Sequence, residues 1–399
     1  MDVAVLLEYR FSRTPDGKVW TQTAFPYTFW QRYLCAFDNV RIVARVEDIA
    51  SVPMDWQRVD GDNVLFRGLP YYVGPWQYLL NQSQVRRKTK EAISPSDSVI
   101  IRAPSQIGTG IASILRREKR PYGLEIVGDP YDVFAPDAVQ HPLRAFFRWW
   151  FVRRLRQQCK NASAVAYVTK HKLQERYPIG SKTKIVSSYS SIELLDEHYI
   201  YAPRFYNNRK PPFTLITVGS LAQMYKGTDV LIDAVAYCIE NGLDARLVVI
   251  GDGKHKPELI ARAEGLGLGD RVQFLGQLPS GALVIHQLDQ ADVFVLPSRT
   301  EGLPRAMLEA MARALPCIGS TAGGIPELLP PEDMVPPGNV TALAEKIMEV
   351  TKDQERLSAM SARNLIEARN YHSDILSQRR AEFYTRLRHE TEEWVVSRT

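Results

Sequence analysis

The 399-residue sequence lacks the features that mark membrane-spanning and disulfide-rich proteins. Its four cysteines are scattered, with the spacing of neither metal ligands nor a redox motif, which favours a reduced compartment. No apolar run reaches the length of a membrane span, and the nearest, residues 145–152, is interrupted by Arg148. The N-terminus shows no basic segment followed by a cleavage site, so we expect no signal peptide. These absences together predict a cytoplasmic protein.

Several motifs of nucleotide-binding and hydrolytic enzymes are also missing. There is no Walker A run, no HExxH and no nucleophile elbow. Gly108-Thr109-Gly110 and Gly251-Asp252-Gly253 each contain a GxG fragment, but neither has the third glycine or a convincing ribose carboxylate at the required distance. These fragments are weak evidence for an NAD site.

What the sequence does contain is an uneven distribution of charge. Residues 1–200 carry 28 Lys and Arg against 20 Asp and Glu, a net charge of +8, whereas the remainder carries 22 against 25, a net charge of −3. This asymmetry suggests that the first half meets an anionic partner. Residues 142–156 mix aromatic residues and arginines on a predicted helix, which fits either an anionic bilayer surface or an ordinary helix with its aromatic side in the core. No nucleic-acid-binding module is recognisable, so we expect no nucleic-acid partner.

Length and element order predict two α/β domains. A chain of this length exceeds what one core usually serves. Strands alternate with helices in both halves, which indicates parallel, doubly wound sheets. The alternation lapses into polar, proline-containing chain at 196–212, the best candidate for a linker. We therefore predict an N-terminal domain over 1–205, a C-terminal domain over 206–372, and a final helix over 373–399 that packs back toward the N-terminal domain.

The first half is less regular than the second. After a strand at 2–8 we predict a long loop over 11–25 and a helix over 27–37. Residues 71–76 have the composition of an aromatic loop, and a helix is predicted to begin near Gly108.

The most informative stretch is Ser298 to Glu309, which follows an apolar strand at 292–296. Pro304 suits a first helical turn, which places Glu301 on the loop and Glu309 about two turns into the helix. The backbone N–H groups around Gly302 and Leu303 would then form an anion site with a carboxylate on either side. The simpler alternative is that Glu301 only compensates the helix dipole and that Glu309 is a solvated helix residue.

Three further loops also follow strands of the second half. These are Gly219-Ser220-Leu221 with the nearby Lys226-Gly227, the Gly251-Asp252-Gly253 turn, and residues 321–327 with two adjacent glycines. Each alone is more often a plain strand-to-helix turn. Several such loops on one edge of a sheet instead predict a site for a nucleotide diphosphate.

Taken together, these residues resemble the retaining glycosyltransferases of the GT-B fold, specifically family 4 (glycosyl transferases group 1). The resemblance is close over 213–350 and extends to the N-terminal half only in architecture. Its most specific part is the E-x7-E motif, matched by Glu301 and Glu309. It implies an α/β fold with two Rossmann-like doubly wound domains facing each other across a cleft.

The resemblance also implies roles for individual residues. Glu301 would contact the donor sugar, Glu309 the ribose, and Lys226 the diphosphate, with no divalent metal and no other cofactor needed. The turn after residues 274–276 would border the base. The implied donor-binding set is Gly219, Ser220, Lys226, Gly251, Gly253, Leu275, Ser298, Glu301, Gly302, Leu303, Pro304, Arg305 and Glu309.

This sequence departs from the family pattern at two places. Ser220 stands where the family usually has arginine, so Arg305 or Arg299 is a candidate substitute cation. Asp129 lies where members often have a catalytic histidine, and it is either a third catalytic residue beside Glu301 and Lys226 or a turn former before Pro130.

The resemblance therefore implies a retaining hexosyltransferase, which we expect to be cytoplasmic and peripheral on the inner face of the membrane. Its donor would be a nucleotide-diphosphate sugar, with UDP-hexose as the default and GDP-mannose as the alternative, and its acceptor a polysaccharide or lipid-linked glycan. Two other functions stay open at this point: a nucleotide-sugar epimerase of the same fold, and a catalytically silent nucleotide-sugar binding protein.

Overall fold

The computed structural model describes residues 1–135, 141–207, 209–279 and 281–398. The chain forms two compact units. The first comprises Met1–Pro130, Trp149–Tyr189 and Ser377–Thr399, and the second comprises Tyr131–Arg148 and Ser190–Leu376. The domain boundary predicted at 205/206 thus falls inside the second unit.

The first unit is built on a mainly parallel sheet. Its strands are β1 (Val3–Arg13), β2 (Val19–Thr21), β3 (Val40–Asp48), β4 (Gln57–Arg58), β5 (Val64–Leu69), β6 (Ser98–Ala103), β7 (Gly123–Ile126), β8 (Ala164–Tyr167) and β9 (Ile185–Ser188). The parallel strands have the order β5-β3-β1-β6-β7-β8-β9. β2 pairs antiparallel with the end of β1, and β4 pairs antiparallel with β2. The long loop predicted over 11–25 is therefore wrong, because β1 continues to Arg13 and pairs with β2 there.

Helices join the strands of this sheet. They are α1 (Tyr27–Gln31), α2 (Gly74–Glu91), α3 (Gln106–Arg117), α4 (Pro130–Val133), α5 (Arg144–Asn161) and α6 (Lys172–Arg176). α1 is shorter than the helix predicted over 27–37, and the second half of the aromatic loop predicted over 71–76 is the start of α2. α3 begins earlier than predicted because the Ser105 hydroxyl accepts a hydrogen bond from the Gly108 N–H at 3.0 Å.

The second unit has a parallel sheet. Its elements are β10 (Phe213–Val218), α7 (Thr228–Glu240), β11 (Ala245–Ile250), α8 (Lys256–Gly265), β12 (Val272–Gly276), α9 (Ala282–Gln290), β13 (Val293–Leu296), α10 (Arg305–Ala312), β14 (Cys317–Ser320), β15 (Met334–Val335), α11 (Val340–Lys352) and α12 (Gln354–Arg369). The strand order is β12-β11-β10-β13-β14-β15. The strands are rich in apolar residues, as is usual where helices cover both faces of a parallel sheet, and all four residues of β13 are buried. The alternation predicted for this half is confirmed, as is the α/β fold class.

The last helix, α13 (Ser373–Val396), contributes to the core of the first unit. A β-carbon on Gly123 in β7 would lie 2.8 Å from Leu387 and 3.4 Å from Phe383, so glycine lets the helix approach the sheet. Tyr384 donates a hydrogen bond to Glu125 at 2.8 Å. Burial alone would raise the pKa of Glu125, but the charge of Arg102 and the tyrosine hydrogen bonds outweigh it and lower this pKa. Among the described helices none is both long and apolar enough to cross a bilayer.

Candidate active site

Two glycine loops lie against each other where β10 and β11 end. The Gly219 N–H donates to the Ile250 carbonyl at 2.9 Å, and the Gly251 N–H donates to the Gly276 carbonyl at 2.8 Å. Gly251 has a φ of 145°, and a β-carbon there would lie 1.8 Å from the carbonyl oxygen of Gly219. Because a side chain cannot be accommodated at that distance, glycine at 251 lets the two loops meet at the carboxyl edge of the sheet.

The neighbouring predicted residues lie on the same loops. Gly253, with a φ of 154°, would place a β-carbon 2.1 Å from the Ala222 nitrogen. Ser220 is exposed, and its hydroxyl accepts a hydrogen bond from the Ala222 N–H at 3.2 Å. Leu275 is half-buried at the end of β12, just before Gly276. Ser220 therefore presents a neutral hydroxyl at a position where the family that this sequence resembles usually has an arginine.

Lys226 and Glu301 are brought together although they are far apart in sequence. Lys226 Nζ donates to Glu301 Oε1 at 2.6 Å, and the Ser298 hydroxyl donates to the same oxygen at 2.7 Å. Gly227 has a φ of 71°, and a β-carbon there would lie 2.2 Å from the Pro297 carbonyl oxygen, so the lysine loop packs tightly on the Glu301 loop. Within the described residues Glu301 Oε2 has no hydrogen-bond partner, which leaves it able to accept from a ligand hydroxyl.

The side chain of Ser298 is fully buried, and its hydroxyl donates to Glu301. This hydrogen bond holds the carboxylate in position. Direct binding of the donor by Ser298 stays a prediction.

A second ion pair links the loop that carries Glu301 to the start of α7, just after Lys226. No sequence pattern indicated this pair. Arg299 makes two hydrogen bonds to the Asp229 carboxylate, at 2.8 and 2.7 Å, and one to the Met224 carbonyl at 2.8 Å. Burial raises the pKa of Asp229, but the hydrogen bonds and charge of Arg299 more than offset this and leave the pKa lowered. Because Arg299 is held in this way, it fixes the position of the Lys226 loop and is poorly placed to replace the missing phosphate cation.

The start of α10 provides backbone N–H groups at this edge. The helix begins at Arg305, with Pro304 preceding it in an extended conformation and no side-chain cap. Pro304 is thus outside the helix, a correction to its predicted place in the first turn, and the N–H groups of the first turn belong to Arg305 and the residues after it. Leu303 is buried, and the Gly302 carbonyl accepts from the Gly324 N–H at 2.7 Å, which packs the 323–324 loop onto the Glu301 loop.

Glu309 is the fifth residue of α10, just over one turn from its start rather than two. Burial raises the pKa of its carboxyl group, and the charge of Arg305, one turn earlier and exposed, offsets part of that rise. A half-buried carboxylate in this position can accept a hydrogen bond from a sugar hydroxyl.

Asp129, the third residue predicted to be catalytic, lies in the first unit after β7. It is buried, and its two carboxylate oxygens accept hydrogen bonds from Arg176 and from the Tyr177 hydroxyl. These contacts favour a structural role at the turn before Pro130, and a catalytic role for Asp129 remains an untested prediction.

The position of Ser298 makes a testable prediction. Ser298→Ala should lower kcat about tenfold while leaving nucleotide affinity unchanged, because Glu301 loses one of the two hydrogen bonds that orient it and Lys226 keeps its charge. Steady-state kinetics with separate measurement of nucleotide binding checks this. Ser361→Ala is the control, since Ser361 is equally buried in the same unit but bonds to the Arg204 N–H. Equal losses of kcat in both variants would show a general packing effect.

With this geometry in place, comparison with known proteins defines the class. Residues 202–365 match the family model of glycosyl transferases group 1. Over these residues the chain is similar to glycosyltransferases of this family.

The chain is also similar to two curated proteins. The chain is 26% identical to Protein CapJ of Staphylococcus aureus over 324 residues, covering 81% of this chain and 80% of CapJ. It is 36% identical over 146 residues to a GDP-mannose-dependent monoacylated α-(1-6)-phosphatidylinositol monomannoside mannosyltransferase of Corynebacterium glutamicum. That match covers 34% of this chain and only 38% of the relative.

Solved structures agree on the fold over nearly the whole chain. Sucrose-phosphate synthase from Thermosynechococcus elongatus gives a TM-score of 0.70 at 16% identity, covering 97% of this chain and 98% of that one. HepE from Anabaena in complex with UDP-glucose gives a TM-score of 0.63 at 17% identity, covering 96% and 98%. The predicted GT-B fold is therefore confirmed.

Proposed function

We propose that this glycosyltransferase is a retaining family 4 enzyme that transfers a hexose from a UDP-sugar to a glycan acceptor. The observation that carries the proposal is the contact of Lys226 with Glu301, held by Ser298 at the carboxyl edge of the second sheet. It places a cation for a leaving diphosphate beside a carboxylate for a sugar hydroxyl.

The leaving group requires positive charge as the bond to the sugar breaks. Departure of a nucleoside diphosphate develops negative charge, which preorganised cations and N–H groups stabilise more strongly than water does. Lys226 and the uncapped first turn of α10 offer both kinds of group in one region. We therefore propose that transfer needs no divalent metal.

In the ligand-free protein Lys226 is neutralised by Glu301. Donor phosphate would compete for the same ammonium group, so binding would release Glu301 from the ion pair and leave both its oxygens for the donor sugar. On this mechanism the two residues exchange partners when the donor binds.

Glu309 is proposed to bind the ribose. Glu309→Gln should weaken UDP binding about ten- to hundredfold, because a charged hydrogen bond to a hydroxyl is worth roughly 1.5–3 kcal/mol.

The same change should raise the thermal stability of the ligand-free protein at pH 7. Because the pKa of Glu309 is raised in the folded state, ionisation of its carboxyl group lowers the free energy of unfolding at any pH above that pKa. Below the ordinary carboxyl pKa the group is protonated in both the folded and the unfolded chain, so the effect disappears. Isothermal titration with UDP and melting curves at neutral and acidic pH check both effects. Unchanged UDP affinity would remove Glu309 from the site.

The donor is proposed as UDP-linked because HepE, with the same fold, is described in complex with UDP-glucose. The GDP-mannose-dependent relative keeps GDP-mannose as the second candidate. A thermal-shift screen of UDP- and GDP-sugars decides between them, and a shift with neither class would contradict the proposal. The epimerase and the silent binding protein are disfavoured, because the matched family model and the relative from Corynebacterium glutamicum are described as transferases.

For the acceptor we propose a polysaccharide or lipid-linked glycan, used on the inner face of the membrane. The relatives include proteins named for colanic acid biosynthesis and for phosphatidylinositol mannosides. α5 supports this proposal, since Leu143, Phe146 and Trp149 are all more than half exposed at its start. We propose that residues 142–156 contact an anionic membrane surface.

A further inference from the structure

The outward face of helix α2 carries large apolar side chains at its start, which is unusual for a helix surface in contact with water. Trp76, Leu79 and Leu80 are 78%, 56% and 83% exposed, while Val85 and Thr89 on the opposite side are buried. One and two turns after Leu80 the same outward face continues with Ser83 and Arg87. The helix is thus apolar outward in its first turns and basic outward at its end, with Lys88 and Lys90 in the last turn.

The part of α5 in the first unit repeats this order. Trp149 is 56% exposed, and the exposed basic residues that follow it are Arg153, Arg156 and Lys160. Arg153 lies 5.8 Å from the centre of the Trp149 ring, so aromatic and cationic groups share one surface. Val152 and Leu155 point into the core on the other side.

α3 lies between these two helices. Tyr78 and Val85 of α2 line a common crevice with Ile111 of α3. On its other side α3 contacts α5, where Gln158 donates to the Thr109 hydroxyl at 2.8 Å.

All three helices connect parallel strands, so they run in the same direction across one face of the sheet. Their basic ends therefore form one band. The exposed members of this band are Arg86, Arg87 and Lys90 of α2, Arg116 and Arg117 of α3, and Arg153, Arg156 and Lys160 of α5.

We infer that α2 is a second membrane-contacting element and that the outer face of α2, α3 and α5 docks on an anionic lipid bilayer. The exposed tryptophan and leucines of α2 would insert among the lipid headgroups, and the basic band would face their phosphates. The inference extends the membrane contact proposed for residues 142–156 and rests on it, but α2 contributes surface that the earlier proposal does not use.

A bilayer fits this surface better than a protein partner does. The apolar groups protrude to as much as 83% exposure, and Trp76, Leu79 and Leu80 are not among the residues that line the crevice between α2 and α3. The charge around them is mainly positive over three helices, which suits an extended anionic surface; the one acidic residue within these helices is Glu91, which lies 3.8 Å from Arg87. An amphipathic face of this kind binds more tightly as anionic lipid increases and as salt decreases.

The test is flotation of the full chain with vesicles of phosphatidylcholine alone or mixed with phosphatidylglycerol, at low salt and without nucleotide. Wild type should float with the anionic vesicles. The double variant Trp76→Ser with Leu80→Ser should bind at least about tenfold more weakly, because two apolar side chains no longer insert. Arg87→Glu should lower binding about 25-fold, at about fivefold for each of two charge units. Leu283→Ser and Arg246→Glu, exposed in the second unit, are the matched controls and should bind like wild type.

The remaining outcomes separate this inference from the proposals before it. If Arg153→Glu with Arg156→Glu abolishes flotation and the α2 variants float normally, α5 contacts the membrane and the inference about α2 is wrong. Absence of wild-type flotation overturns both. Light scattering without lipid completes the test: a wild-type dimer that the Trp76 and Leu80 changes dissociate would show that a second copy covers this face. UDP binding by every variant shows that the donor site is intact, so a failed glycosyltransferase assignment cannot be mistaken for a failed membrane surface.

Discussion

Lys226→Ala is expected to lower the rate of sugar transfer by about 10²–10³-fold, the usual cost of removing one preorganised group that stabilises a transition-state charge. The effect should be at the upper end of that range. Ser220 is neutral, and Arg299 is held by Asp229, so the described loops around the diphosphate offer few other cations that could compensate. Initial rates with saturating donor measure the loss.

Lys346→Ala is a close control for this experiment. Lys346 lies in the same unit, makes an ion pair of the same 2.6 Å length with Glu349, and has a similar exposed fraction, 17% against 20%. It should retain nearly full activity. Ser220→Arg should tighten UDP binding about tenfold, since it restores a charged hydrogen-bond donor. Substantial activity in Lys226→Ala, or loss of wild-type activity with a chelator, would show that another cation carries the charge.

Glu301→Gln should reduce transfer about a hundredfold without weakening UDP binding. The amide cannot supply the charged acceptor proposed for the donor sugar, and a lost charged hydrogen bond is worth roughly 1.5–3 kcal/mol. UDP affinity should stay constant or increase, because Lys226 is no longer paired and its ammonium group is available to phosphate. Rates and UDP titrations on the same preparation separate the two effects.

Glu349→Gln provides the comparison, as it also removes the carboxylate partner of a lysine in this unit. It should change neither the rate nor UDP affinity. A Glu301→Gln enzyme that transfers sugar at the wild-type rate would contradict the assignment of Glu301 to the reacting sugar. A large loss of UDP affinity would contradict the exchange of partners at Lys226.

The second sheet could be predicted from the sequence because its physical signals are strong. β10 and β11 lie at 213–218 and 245–250, as predicted, since strands buried on both faces of a parallel sheet are short apolar runs. Each is followed by glycine where the chain must turn closely past its neighbour. The composition of each short segment was therefore enough to locate these strands.

α2 was missed for the opposite reason. Its core-facing residues, such as Tyr78 and Val85, are few, and its outward face is apolar in one half and charged in the other, so no single polar stripe marks a helix. Gly74 at its start also has the composition of a turn. The outward face of α2 supports the membrane inference because it is partly apolar, and the same property explains why the sequence pattern did not indicate a helix.

Much of the site could be predicted as a set of loops, but not as a set of contacts. Lys226, Glu301 and Glu309 were proposed as site residues from motif and position, and the structure places Lys226 beside Glu301. The pair of Asp229 with Arg299 and the buried hydrogen bond from Ser298 could not be, because residues that meet across two loops leave no regular spacing in sequence. Only the packing of β10 beside β13 brings those loops together.

The central claim is that a nucleoside diphosphate binds at the loops of the second unit and takes Lys226 from Glu301. A crystal structure of the protein with UDP tests it most directly. The account predicts phosphate oxygens within hydrogen-bond distance of Lys226 Nζ and of the first N–H groups of α10, ribose oxygens at Glu309, and Glu301 separated from Lys226. UDP bound against the first unit alone, or bound with the 2.6 Å contact between Lys226 and Glu301 intact, would contradict it.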